Sequence, residues 1–148
     1  MDFSVVIPTY NSAKVVCRAL SSVKKAAGNR DFEVIVVDDC SEDIEALKAV
    51  IDSYAEAWLV EKEKKTNASD SRNIGFLKSH ADIVFFLDSD DCYDAGYITH
   101  RIELIKITRT GIMFGNFIVT GGEGYNKSDL PVYTPGEDMR DFLFIRGG

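Results

Sequence analysis

Three carboxylates crowd into four positions at Asp88-Ser-Asp90-Asp91, directly behind the apolar run Ile83-Val-Phe-Phe-Leu87. Clustered carboxylates repel one another and raise each other's pKa unless a cation neutralises them. Hard oxygen donors suit Mg²⁺, Mn²⁺ or Ca²⁺. Asp88, Asp90 and Asp91 are therefore candidate ligands of a divalent metal. The alternative is a solvated acidic loop that leads into a helix capped by Asp94. A second acid pair, Asp38-Asp39, follows the apolar run Val34-Ile-Val-Val37, and the polar turn Thr9-Tyr10-Asn11 follows Val5-Val-Ile7-Pro8. Arg72 falls in the first turns of a helix that opens near Asn67. Its planar fork of donors suits either a phosphate or one carboxylate of the cluster.

The elements that must position these groups can be read from hydrophobic period. Continuous apolar runs predict strands at 3–7, where Pro8 ends the first, and at 32–37, 57–60, 83–87 and 111–119. Helices are expected at 13–27, 44–54, 67–79 and 95–108, the first capped by Asn11 or Ser12 and the last by Asp94. The charged stretch Glu61-Lys-Glu-Lys-Lys65 reads as a solvated loop. Residues 120–136 are rich in Gly, Pro, Asn and Asp and read as loops or a hairpin, with a short helix at 137–145. His80 and His100 are expected as lone surface residues. Trp58 reads as core, and Tyr93 as either packing or the lining of a pocket beside the acids.

Strands that alternate with helices predict an α/β fold with a mostly parallel central sheet and helices on both faces. Runs without polar breaks fit strands buried on both sides. In such a sheet the ends of the first, second and fourth strands share one edge. There lie Pro8-Thr-Tyr-Asn11, Asp38-Asp39 and Asp88-Ser-Asp-Asp91. That edge is where open α/β sheets bind ligands, and the N-terminus of the helix near Asn67 can face an anion there.

Composition narrows the class. The 148 residues suffice for one domain, with 45% hydrophobic and 28% charged residues. A formal charge of −7 speaks against nucleic acid as a partner. Three cysteines, Cys17, Cys40 and Cys92, form no ligand spacing and no disulfide framework. A reducing, cytoplasmic setting is expected. Nothing resembles a signal peptide or a membrane span, which leaves room for peripheral association of a longer parent enzyme with the inner membrane face.

Taken together the motifs resemble the inverting, family 2 type of glycosyltransferase with the GT-A fold. The resemblance rests on Val5-Val-Ile-Pro-Thr-Tyr-Asn11, Val34-Ile-Val-Val-Asp-Asp-Cys-Ser-Glu-Asp43, Ser71-Arg-Asn-Ile-Gly75 and Phe85-Phe-Leu-Asp-Ser-Asp-Asp91, in that order. It covers about the first 100 residues, the nucleotide-binding part. It implies that Pro8, Thr9, Tyr10 and Asn11 wall the base and that Asp39, or else Asp38, reads the base edge. Arg72 would lie near base and diphosphate. Asp88-Ser-Asp90 matches the DXD pattern, with Asp90 near the ribose and Asp91 beside Mn²⁺ or Mg²⁺. The implied donor is a nucleoside-diphosphate sugar, most commonly a uridine one, and the acceptor a carbohydrate or a lipid-linked sugar.

Three positions depart from the family pattern. Cys40 and Asn67 stand where Gly is frequent, and Ala95 where Pro is common. Asn tolerates positive φ better than most residues. The family's general base comes from a later segment. Within this chain the candidate is Asp138; otherwise the base lies beyond residue 148 and the domain stops before the acceptor-binding segment. A fragment that binds donor without turnover is then the alternative function. A phosphoacceptor signalling domain fits less well, because it needs its acid pair after strand one and a Lys on a later strand end. A sugar nucleotidyltransferase needs a Gly-rich basic loop after strand one, which Pro8-Thr-Tyr-Asn11 is not.

Overall fold

Four parallel strands form the sheet in the order β3-β2-β1-β4. The computed structural model describes residues 1–113. The elements are β1 (Phe3–Thr9), α1 (Val16–Ala27), β2 (Phe32–Asp38), α2 (Ile44–Ile51), β3 (Ala57–Glu61), α3 (Ala68–Lys78), β4 (Val84–Phe86) and α4 (Tyr97–Thr108). Met1–Thr110 closes on itself as one unit. Of the expected fifth strand, residues 111–113 are described and form no strand, and the rest lies outside the described residues. The expected hairpin, the short helix at 137–145 and Asp138 lie outside them as well.

The predicted α/β architecture is what the chain adopts. β1 and β2 are buried along almost their whole length, as unbroken apolar runs require. Side chains alternate between faces. Phe3, Val5, Ile7, Val34 and Val36 pack with Val16, Leu20 and Val23 of α1, Leu47 and Ile51 of α2, and Ile98 and Ile102 of α4. On the opposite face Val6, Ile35 and Val37 pack with Ile74 of α3. That packing needs glycine at position 75, where an added Cβ would run into the side chains of Val6 and Val37.

Pro8 does not end β1. The strand continues to Thr9, with Pro8 opposite Val37 and Thr9 opposite Asp38. The ladder explains why the proline is tolerated. Ser4 N–H donates to Ile83 and Val6 C=O accepts from Leu87, so alternate residues of β1 bond towards β4. Pro8 is the next in that series, past the last bond, and its missing N–H costs nothing there.

Helix starts also differ from expectation. Neither Asn11 nor Ser12 caps α1 through its side chain. The Ser12 carbonyl accepts from Val15 and Val16, and the helix begins at Val16. Asp94 does not cap α4 by its carboxylate. Its carbonyl accepts from Tyr97, and the chain turns through Gly96 at φ 79°, a left-handed conformation that glycine adopts without strain. Asn67 does cap α3, accepting from Asp70 N–H at 2.9 Å. It does so from extended backbone at φ −165°, so no glycine-like conformation is required of it. Cys40, by contrast, sits at φ 61°, where a family glycine would be unstrained.

Candidate functional site

Because all four strands are parallel, their C-terminal ends face one way. Thr9, Asp38 and Glu61 are in register across β1, β2 and β3. One step further, Asp39 N–H donates to Thr9 C=O and Lys62 N–H to Asp38 C=O. Past the end of β4, Leu87 N–H still donates to Val6 C=O, and Asp88 follows directly. The structure thus gathers Pro8, Thr9, Tyr10, Asn11, Asp38, Asp39, Arg72, Asp88, Asp90 and Asp91 at a single edge.

The loops on that edge are tied to one another. Asn11 N–H donates to Ser41 Oγ at 2.8 Å, and Asn11 Oδ1 accepts from Glu42 N–H at 2.8 Å. Asp43 Oδ2 accepts from Ala13 N–H at 3.0 Å. Asn11 reaches these partners from φ 51°, which asparagine tolerates. Ser89 donates to Ser12 at 2.9 Å and so joins the acidic loop after β4 to the loop after β1.

The two acids after β2 have different surroundings. Asp38 is spent on its own turn. Its Oδ2 accepts from Ser41 N–H at 2.8 Å, and its Oδ1 accepts from the hydroxyls of Ser41 and Thr9. Asp39 Oδ1 accepts from Thr66 N–H at 2.7 Å and pairs with Lys62 Nζ at 2.8 Å. No described residue donates to Asp39 Oδ2. Burial alone would raise the Asp39 pKa, but the bond from Lys62, the Thr66 N–H and the charges of Lys62 and Lys65 hold it below the ordinary range.

Lys62 was hidden in the sequence. The stretch from Glu61 to Lys65 reads as solvated, yet the Lys62 side chain is 5% exposed, between Asp39 and Asp70. Its neighbour Lys65 lies over the ring of Tyr10, 3.5 Å from the ring centre. Alternation along the end of β3 was the one available signal, since Glu61 points outward to Lys48 and the next residue turns in.

On the other side of the edge, Arg72 pairs with Asp88, so of the two partners expected for it the structure supplies the carboxylate. Asp91 N–H turns back onto Asp88 C=O at 3.1 Å. Burial, then the neighbouring charges of Asp90 and Asp88, push the Asp91 carboxyl above its usual range. Among the described residues no three His, Cys, Asp or Glu side chains converge into a finished cation site. Tyr93 has a packing role: its hydroxyl donates to Phe86 C=O and its ring stacks on Tyr97.

The opposite edge carries a polar cluster that the sequence did not announce. Glu33, in β2, accepts from Ser4 Oγ, His80 N–H and Trp58 Nε1, and its Oε2 lies 2.9 Å from His80 Nδ1. His80 is at the surface but is not lone.

The profile of glycosyl transferase family 2 matches residues 4–145. The chain belongs to that family. It is 34% identical over 121 residues to the poly(ribitol-phosphate) beta-N-acetylglucosaminyltransferase TarP of Staphylococcus aureus, a match that covers 80% of this chain and 37% of TarP. A crystal structure of S. aureus TarS superposes with a TM-score of 0.74 at 27% identity, over 86% of this chain and 24% of that one. TarS 1–349 in complex with UDP superposes with a TM-score of 0.65 at 28% identity, over 74% of this chain and 33% of that one. This family 2 chain therefore spans well under half the length of each of these three proteins, and it shares the α/β fold of the two TarS structures. No helix among its described residues is long and apolar enough to cross a membrane.

Proposed function

We propose that this chain is the donor-binding part of a glycosyltransferase that moves a sugar from a nucleoside-diphosphate sugar, UDP-linked, to a glycan or lipid-linked acceptor with inversion. The observation that carries the reading is the convergence of Tyr10, Asp39, Arg72 and the Asp88–Asp91 loop on one sheet edge in a family 2 chain. That TarS 1–349 has been solved with UDP supports the choice of uridine. Tyr10 walls the base and Asp39 accepts from its edge. Asp38, whose oxygens are already occupied, shapes the turn that presents Asp39. Asp90 takes the ribose. Arg72 lies where its guanidinium meets the diphosphate.

The residues fit a hard divalent cation, Mn²⁺ or Mg²⁺, by donor type. Burial, then the charges of Asp90 and Asp88, disfavour an ionised Asp91, and a bound cation would offset them. Asp90 and Asp91 would hold it, with Asp88 shared between it and Arg72. Bound there, it would neutralise the diphosphate as leaving group. In the transfer itself the acceptor oxygen attacks the anomeric carbon from the face opposite the diphosphate. The bond to the diphosphate breaks with its electron pair, and a carboxylate base takes the acceptor proton. Asp138 is the candidate for that base within the chain. Three free cysteines agree with a cytoplasmic setting, and peripheral membrane association belongs to the proposal for the whole protein.

Titration calorimetry with UDP, with and without Mn²⁺ and then with EDTA, tests the donor site. Binding that strengthens with metal and weakens on chelation is expected. UDP affinity indifferent to metal refutes the cation, and no UDP affinity refutes the reading. A radiolabelled-donor assay with Asp138→Asn tests the base: transfer by the wild type that survives the substitution excludes Asp138.

A further inference from the structure

The Lys62 ammonium has four acceptors within the protein. Nζ lies 2.8 Å from Asp39 Oδ1, 2.9 Å from Asp70 Oδ2 and 3.4 Å from Ser71 Oγ, and it also donates to Thr66 Oγ1. A buried charge is tolerated only when it is paired and hydrogen-bonded, and this one is. Nothing local forces it inward, since a lysine just past a strand end is more easily solvated. Its direction has a consequence for Asp39. Lys62 and Thr66 N–H both take Oδ1, which fixes the plane of the carboxylate and leaves Oδ2 without a donor among the described residues.

We infer that Lys62 is a positioning residue for base recognition: it holds Asp39 ionised and oriented, so that Oδ2 is presented as a pure acceptor to a ring N–H of the base. The inference rests on the nucleotide-binding reading above. An ionised carboxylate accepts and cannot donate. Uracil offers an N–H at its ring edge. Cytosine offers a bare ring nitrogen there, and two acceptors then face each other without a proton, which rejects the wrong base. Lys62 therefore sets the preference for uracil without touching it. Lys65, from the same loop, adds positive charge near Asp39, and Asp70, from α3, adds negative charge on the far side of Lys62. With Lys62 removed, burial favours the protonated form, and a protonated Asp39 can donate to cytosine.

The test uses the full chain as wild type, Lys62→Met and Lys62→Arg. The first readout needs no nucleotide: the Asp39 side-chain carboxyl is titrated by NMR. It should titrate below the ordinary range in the wild type, higher in Lys62→Met, and near the wild-type value in Lys62→Arg. The second is the ratio of UDP to CDP affinity by calorimetry at about pH 7, where the ring nitrogen of free cytosine carries no proton. The ratio cancels the titration of the phosphates, which the two ligands share. In Lys62→Met, where Asp39 is neither fixed nor held ionised, it should fall by about tenfold, and Lys62→Arg should recover most of it. Should Lys62→Met not fold, Lys62→Gln keeps donors without charge and is read the same way. An unchanged Asp39 titration, or a ratio in the uncharged variant that matches the wild type, would each overturn the inference. If Asp39 titrates as expected but the wild type binds UDP and CDP alike, it is the base-reading role of Asp39 that fails, and the positioning role falls with it.

Discussion

Arg72, on α3, is ion-paired with Asp88, just past the end of β4. The pair joins a helix that covers one face of the sheet to the acidic loop at its edge. The two side chains are 32% and 51% exposed, so solvent screens them. An exposed pair of this kind contributes about 0.2–1 kcal/mol to stability.

Arg72→Ala should therefore move the urea midpoint little and yet weaken UDP binding by about tenfold or more, because a guanidinium beside a diphosphate makes charge-assisted bonds. Arg72→Lys should recover only part, since lysine lacks the planar fork. Calorimetry and urea unfolding on the same samples separate the two effects. A large loss of stability with unchanged UDP affinity would reduce Arg72 to a structural residue.

Asp39→Asn should cost about 1.5–3 kcal/mol of UDP binding. It should also lower stability, because the buried Lys62 then keeps Asp70 as its single carboxylate partner. Asp38→Asn should act in the other order, loosening the Asp38–Ser41 turn first. Thermal unfolding beside calorimetry tells them apart, and greater loss of binding in the Asp38 variant would reverse the two assignments.

Glu33 predicts a pH dependence far from the site. Burial alone would raise its pKa, but bonds from His80, Ser4 and Trp58 lower it from 4.5 to about 2. Folding thus favours the ionised form. The stabilisation is fully present above about pH 4.5 and is lost as pH falls through about 2. Glu33→Gln brings donors to face donors and should cost about 1–3 kcal/mol near neutrality. Urea midpoints between about pH 5 and about pH 2 should fall in the wild type and flatten in the variant. Parallel curves would remove Glu33 as the cause.

Gly75→Ala forces a methyl between α3 and the side chains of Val6 and Val37. Overpacking of this kind costs about 1–3 kcal/mol. α3 carries Asp70 and Arg72, so UDP affinity should fall together with stability. Val6→Ala in the same chain opens space and should restore part of both. If the double variant binds no better than Gly75→Ala, then α3 is not placed by this contact.

Much of this protein is determined by local pattern. The apolar runs of β1 and β2 have one home, a sheet covered on both faces, and alternation with amphipathic helices makes that sheet parallel. A parallel sheet points every strand end the same way, so the convergence of Thr9, Asp39 and the Asp88–Asp91 loop at one edge follows from order alone. Side-chain direction beyond the strand ends does not follow, because period stops where the strand stops. Asp38 and Asp39 are adjacent and identical in type, and only the three-dimensional positions of Ser41, Thr66 and Lys62 assign them different work. Lys62 reads as one more charge in a charged run. It turns inward because two carboxylates from other parts of the fold, Asp39 just past β2 and Asp70 on α3, stand where they compensate the cost of burying it. Glu33 and His80 are 47 positions apart, and their pairing depends on α3 returning the chain to the lower edge of the sheet. Interactions that satisfy buried polar groups are long-range, and for that reason tertiary structure decided them.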